Sequence, residues 1–83
     1  METCIGIVTH FYNRIGVAVL SLSDTLNLNE MVHFLGYSTD FYQKVSSMEV
    51  EHRKILSAGA GMEVALKVDE VVRRGDEIYL VQE

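Results

Sequence analysis

Short apolar runs rich in β-branched and aromatic residues, each closed by a turn signal, recur along the whole of this chain. They are Cys4–Tyr12, Ile15–Leu22, Met31–Leu35, about Asp40–Val45, about Ser47–Ile55, Glu63–Val68 and Glu77–Val81. β-Branched side chains are restricted in a helix and pack well on a pleated surface. Turns at intervals of roughly eight to twelve residues leave little room for long helices and favour a barrel or sandwich. Two stretches alternate with period two. Val64, Leu66 and Val68 oppose Glu63, Ala65, Lys67 and Asp69; Met48, Val50 and His52 oppose Glu49, Glu51 and Arg53. That is the pattern of a half-buried strand. The expected fold is therefore all-β: a small closed or partly open β-barrel of about six to seven short, mostly antiparallel strands, with residues 1–83 as a single domain.

Leu56–Arg74 has helix-forming Ala, Glu and Lys. Gly59 and Gly61 near its start, and the branched Val64, Val68, Val71 and Val72, oppose a helix there. Gly6 inside the first run suggests a bulge, a sharp bend or a close backbone crossing. Asn13-Arg14 is expected to turn the chain into the second strand, since Asn tolerates positive φ. Asp24 opens a loop in which Leu26 and Leu28 alternate with Asn27 and Asn29. Ser57–Gly61 reads as a loop, and Arg73-Arg74-Gly75-Asp76 as a turn.

With 83 residues, folding buries roughly 60% of the unfolded chain's surface, so the core must be economical. One cysteine, Cys4, rules out an internal disulfide; it is expected to pack as a small apolar residue. The longest apolar stretch, Ile15–Leu20, is too short to span a membrane, and no signal-peptide pattern opens the chain. A cytoplasmic location without membrane attachment is expected. The net charge of −5 opposes general attraction to polyanions and leaves only a local basic patch for nucleic acid.

The order of motifs resembles the second domain of translational GTPases of the elongation factor Tu type. Gly6-Ile7-Val8 stands for that family's first strand unit and Asp24–Glu30 for its leucine-containing loop. Val32–Gly36 gives the next strand and its glycine, Val45–Val50 a later strand, Ala58–Leu66 a loop and strand, and Arg73–Tyr79 the closing turn. The chain is also similar to small translation elongation factor-like proteins and to the barrel at the C-terminal end of collagenase-like peptidases. Val8-Thr9-His10, Gly16–Val19, Thr39–Val45, Met48–His52 and Lys67-Val68-Asp69 carry that likeness, which covers nearly the whole chain. Asn29-Glu30 replaces the family's Gly-Asp. Asn can hold the left-handed conformation there and Glu keeps the charge. Met62 replaces a frequent acidic residue. The resemblance implies a barrel that contacts tRNA ends or ribosomal RNA, or one that accompanies an enzyme.

No catalytic centre is legible. A phosphate-cradling loop of the form G-x-x-x-x-G-K-[ST] is absent, so nucleotide triphosphate binding is not expected. His10, His33 and His52 lie far apart in sequence with one cysteine, which is not the spacing of a zinc site. Asp69-Glu70 and Asp76-Glu77 are adjacent pairs that fit solvated turns. No metal or cofactor is expected. The candidate binding patch consists of two basic doublets, Arg53-Lys54 and Arg73-Arg74, with Tyr12, Phe41, Tyr42 and Tyr79 as rings on which bases could stack. The first reading is a non-catalytic module docking on RNA or a ribonucleoprotein. The alternative is a protein-interaction or accessory module for a separately encoded enzyme.

Overall fold

A computed structural model describes residues 1–82. Ten strands follow one another: β1 (Glu2–Tyr12), β2 (Val17–Leu22), β3 (Leu26–Asn27), β4 (Met31–Leu35), β5 (Asp40–Lys44), β6 (Met48–Val50), β7 (Arg53–Ile55), β8 (Ser57–Ala58), β9 (Glu63–Lys67) and β10 (Glu77–Val81). Eight form one antiparallel sheet in the order β5-β4-β10-β1-β2-β9-β6-β7, and β3 pairs with β8 in a separate ribbon. The sheet curls around one core that includes Ile5, Leu20, Leu26, Phe34, Met48, Leu66 and Ile78. The cross-strand pair Phe34–Phe41 stacks with ring centres 5.1 Å apart. The all-β barrel-like architecture is as expected, and Leu56–Arg74 contains no helix.

The edge strands β5 and β7 do not pair with each other. Connecting segments close the seam instead. Leu28 N–H donates to the Leu56 carbonyl, Asn29 N–H to the Val45 carbonyl, and Val45 N–H to the Glu30 carbonyl. The buried Gln43 side chain completes the closure. Its Nε2 donates to the Lys67 carbonyl at 2.9 Å and its Oε1 accepts from Asp69 N–H at 2.8 Å.

β1 serves two neighbours, β10 along its first half and β2 along its second, and it bends between them through two bulges. One lies between Cys4 and Gly6, the other between Val8 and His10. The first bulge puts Ile5 and Val8 inside together, and leaves Cys4 and Ile7 outside. The expectation that Cys4 packs in the core is therefore corrected: an extra residue in a strand inverts the facing of what precedes it. Gly6 sits where strands cross closely. A Cβ there would lie 2.6 Å from the Ser21 carbonyl oxygen.

Three further expectations change. The run Ser47–Ile55 is not one strand but the β6–β7 hairpin, turned by Glu51 (φ 50°) and His52 (φ 66°). Positive φ at both central residues is the geometry of a tight two-residue hairpin, which usually takes Asn-Gly. With Glu-His in those places, the turn has no sequence signal. Part of the expected Ser57–Gly61 loop is β8, and the β1–β2 turn takes its positive φ at Gly16 and not at Asn13. Asn29 does adopt φ 73°, and Glu30 Oε1 accepts from Asn27 N–H, so the substituted turn keeps its shape and its anion. Asn29→Ala is expected to cost about 1 kcal/mol in urea denaturation, whereas Asn29→Gly should cost nothing.

Asp76 also departs from expectation. It is buried, not solvated; its Oδ2 accepts from Arg73 N–H at 2.8 Å, while Asp76 N–H donates to the Arg73 carbonyl. Its carboxylate fills the space a side chain at Gly36 would occupy.

Candidate functional site

Two features of the surface offer chemistry. The first is a polar cluster built by β1, β4 and β5. β4 pairs with β10 and β5, which puts His33 opposite Tyr79 on one side and Tyr42 on the other. His33 is 8% exposed. Its Nδ1 lies 2.6 Å from Glu2 Oε1, its Nε2 lies 2.6 Å from Asp40 Oδ1, and Tyr42 Oη donates to Glu2 Oε2 at 2.7 Å. Tyr42 stacks on the imidazole with centres 4.1 Å apart. Carboxylates only accept, so hydrogen bonding on both sides requires both ring nitrogens to donate, as imidazolium.

Burial works against that charge. The hydrogen bonds to Glu2 and Asp40, and the charges of those carboxylates, outweigh it and raise the His33 pKa above 6.5. The hydrogen bond from His33, then that from Tyr42, holds Glu2 below 4.5. The hydrogen bond to Glu2 pushes the Tyr42 phenol up, the opposite of what an activated nucleophile needs. This arrangement fastens the start of β1 across β4 and β5.

The cluster makes stability depend on pH with a definite sign. His33 contributes fully below its unfolded pKa of 6.5, and that contribution is lost as pH rises through the raised folded value. Glu2 contributes above 4.5 and loses its share as pH falls through its lowered value. Between 4.5 and 6.5 both act. Thermal denaturation should show the native protein losing stability as pH rises above about 6.5, with a His33→Asn variant flatter over that rise. Parallel pH curves for the two proteins would contradict the assignment.

The second feature is an open groove of about 750 Å³ on the outer face of β2, β9 and β6. Alternation along these strands sends Ala18, Leu20, Val64, Leu66 and Met48 into the core. Val17, Val19, Ala65 and Glu49 are left on the other face, where Val17 pairs with Lys67, Val19 with Ala65, and Glu49 with Ala65. The β1–β2 turn adds Tyr12 and Ile15 at one end, and the β6–β7 turn adds Glu51 and His52.

The sequence-derived basic patch is distributed over the fold. Arg53 and Lys54 are exposed neighbours on β7, opposite Val50 and Glu49 respectively, so their side chains leave opposite faces of the strand. Arg73 and Arg74 are exposed in the β9–β10 connection, and Arg73 Nε donates to Ser38 Oγ in the β4–β5 turn. Among the described residues, no ion pair involves any of the four. Of the proposed stacking rings, Phe41 is buried, Tyr42 lies on His33, and Tyr12 sits beside His10 with ring centres 4.2 Å apart. Among the described residues, no group of three or more His, Cys, Asp and Glu is arranged to hold a metal ion, and no helix is long and apolar enough to cross a membrane. Sequence reasoning missed the His33 cluster because Glu2 precedes the expected first strand. It missed the groove because outward-facing Val17, Val19 and Ala65 read as core.

A partly open barrel with an outer groove is the class of structure defined so far. No protein-family model matches the chain. An uncharacterized protease of Methanocaldococcus jannaschii is 32% identical over 80 residues, which are 95% of this chain and 20% of that protein. The chain thus spans about a fifth of the length of this curated relative. The crystal structure of the C-terminal domain of a Geobacillus thermoleovorans protein assigned to the U32 peptidases has the same fold. Its TM-score is 0.89 at 17% identity, covering 94% of this chain and 91% of that one. Its selenomethionine form gives 0.87 at 18% identity, covering 92% and 96%. The likeness to a peptidase-associated barrel is supported by these findings. The likeness to translation factors, and with it docking on RNA or the ribosome, gains no support from them.

Proposed function

We propose that this chain is a non-catalytic accessory barrel that binds a peptidase polypeptide. The observation that carries this reading is domain-for-domain coverage: the chain matches nearly all of a peptidase's C-terminal domain and only a fifth of a whole protease. A module of this size, whose clustered phenol Tyr42 is held protonated rather than activated, serves a hydrolytic enzyme by binding. The exposed basic residues Arg53, Lys54, Arg73 and Arg74 then act as rim charges that steer association. Residues 1–83 work as one domain in this reading, in the cytoplasm, where an exposed thiol such as Cys4 stays reduced.

The test is to purify this chain and a full-length peptidase of the same genome that resembles the Methanocaldococcus protease. Light scattering should find a stoichiometric complex, and the barrel alone should release no product from peptide substrates. Absence of a complex at high micromolar concentration would remove the accessory reading. Salt-sensitive co-sedimentation with ribosomes, abolished by Arg73→Glu/Arg74→Glu, would replace it with the translation-associated one.

A further inference from the structure

The outer groove has a chemistry of its own. Its floor is apolar, formed by Val17, Val19 and Ala65, and its end carries Ile15 at 59% and Tyr12 at 50% exposure. Its lining includes three carboxylates, Glu49, Glu51 and Glu63; Glu49 pairs with Ala65, so Glu51 and Glu63 come together beyond that pair, at the end opposite Lys67. The cation among its lining residues is Lys67, whose Nζ donates to the Ile15 carbonyl at 2.7 Å. Lys54 faces Glu49 across the β6–β7 ladder, whereas Glu63 faces Ser21. Glu51 stands on the hairpin turn. The groove is thus an apolar strip with an acidic end.

We propose that this groove is the docking site for a cationic, apolar-bearing segment of a protein partner, with Leu- or Val-like side chains on the floor and Lys or Arg toward Glu51 and Glu63. The proposal deepens the reading of the chain as a protein-binding barrel and rests on it. Three adjacent strands span two inter-strand spacings, roughly 10 Å, the breadth of one extended peptide with its side chains. The sign of that end selects among occupants. Phosphate backbones are repelled. A second copy of this chain, at net charge −5, brings the same carboxylates to the same face. A basic segment gains at the acidic end while its apolar side chains cover Val17 and Val19.

The experiment uses the whole chain, labelled with nitrogen-15, and two synthetic octapeptides, one alternating Leu with Lys and one alternating Leu with Glu. The Lys peptide should produce saturable amide shifts centred on Val17, Val19 and Ala65 that weaken with salt. The Glu peptide should produce none. Glu51→Lys/Glu63→Lys should weaken the Lys peptide by about tenfold or more; it spares Glu49, where a lysine would face Lys54. The single variant Glu51→Lys, at an exposed turn, should weaken it in the same direction and guards against misfolding of the double variant. Equal binding of both peptides, shifts centred elsewhere, or no binding would each overturn the proposal. Binding of the Lys peptide without association of the peptidase keeps the groove and removes the accessory reading. Peptidase association unaffected by Glu51→Lys/Glu63→Lys does the reverse.

Discussion

Gly6→Val is expected to destabilise the barrel by upwards of about 3 kcal/mol, enough to leave a domain of ordinary stability largely unfolded in mild urea. A Cβ at Gly6 would stand 2.6 Å from the Ser21 carbonyl oxygen and 3.3 Å from both Leu22 Cα and Ile78 Cγ2. Two of those three atoms belong to the backbone of β2, which is itself held by β9, so neither can yield without breaking ladder hydrogen bonds. The bulge beside Gly6 would also be strained, and with it the facing of Ile5 and Cys4. Gly59 is the control. A Cβ there meets nothing within 4 Å, and the backbone is not left-handed. Gly59→Ala should therefore be neutral or stabilise by up to about 1 kcal/mol, through the lower entropy of the unfolded chain. Urea titrations of the two variants against the native protein make the comparison. A Gly6→Val midpoint equal to the native one would show that β1 and β2 do not cross as described.

The second large effect lies at the seam. Gln43→Leu keeps the volume but strips partners from the Lys67 carbonyl and the Asp69 N–H at once. Each unpaired group costs about 1–3 kcal/mol, so a loss of about 2–6 kcal/mol is expected from urea denaturation. Gln43→Glu separates the two contributions. An ionised carboxylate still accepts from Asp69 N–H but cannot donate to the Lys67 carbonyl, and the two oxygens repel. The introduced group therefore has a raised folded pKa. Its penalty is present at neutral pH and relieved as pH falls and the carboxyl takes up a proton it can donate. The Gln43→Glu variant should approach native stability on acidification, and Gln43→Leu should not. An identical pH response of the two variants would remove the Lys67 contact from the account.

The seam also shows where sequence reasoning reaches its limit. Gln43 occupies a core-facing position of β5, and nothing local says which backbone groups lie beyond it. Glu63–Lys67 was readable because its alternation reports directly which residues face inward, and Met31–Leu35 because a largely apolar run ends there at Gly36. The hairpin at Glu51-His52 was not, because these two residues take the left-handed conformation without being Gly or Asn. The period-two pattern of the sequence runs straight through them. The two basic doublets were readable as charges but not as a surface, since Arg53-Lys54 and Arg73-Arg74 stand on different segments and adjacent strand residues diverge.

Local chemistry alone determined that this chain would be all-β, that Gly6 would mark an irregular crossing, that Asn29 would replace a glycine, and that no phosphate loop was present. Each follows from a residue's own conformational preference or from its nearest neighbours along the chain. Tertiary structure alone decided that Cys4 points outward, that Asp76 is buried, that His33 is held by Glu2 and Asp40, and that Val17, Val19 and Ala65 floor a groove. These depend on register. A bulge between Cys4 and Gly6 inverts which side chains face the core, and contacts between residues 2 and 33 or 43 and 69 exist only after the sheet has curled.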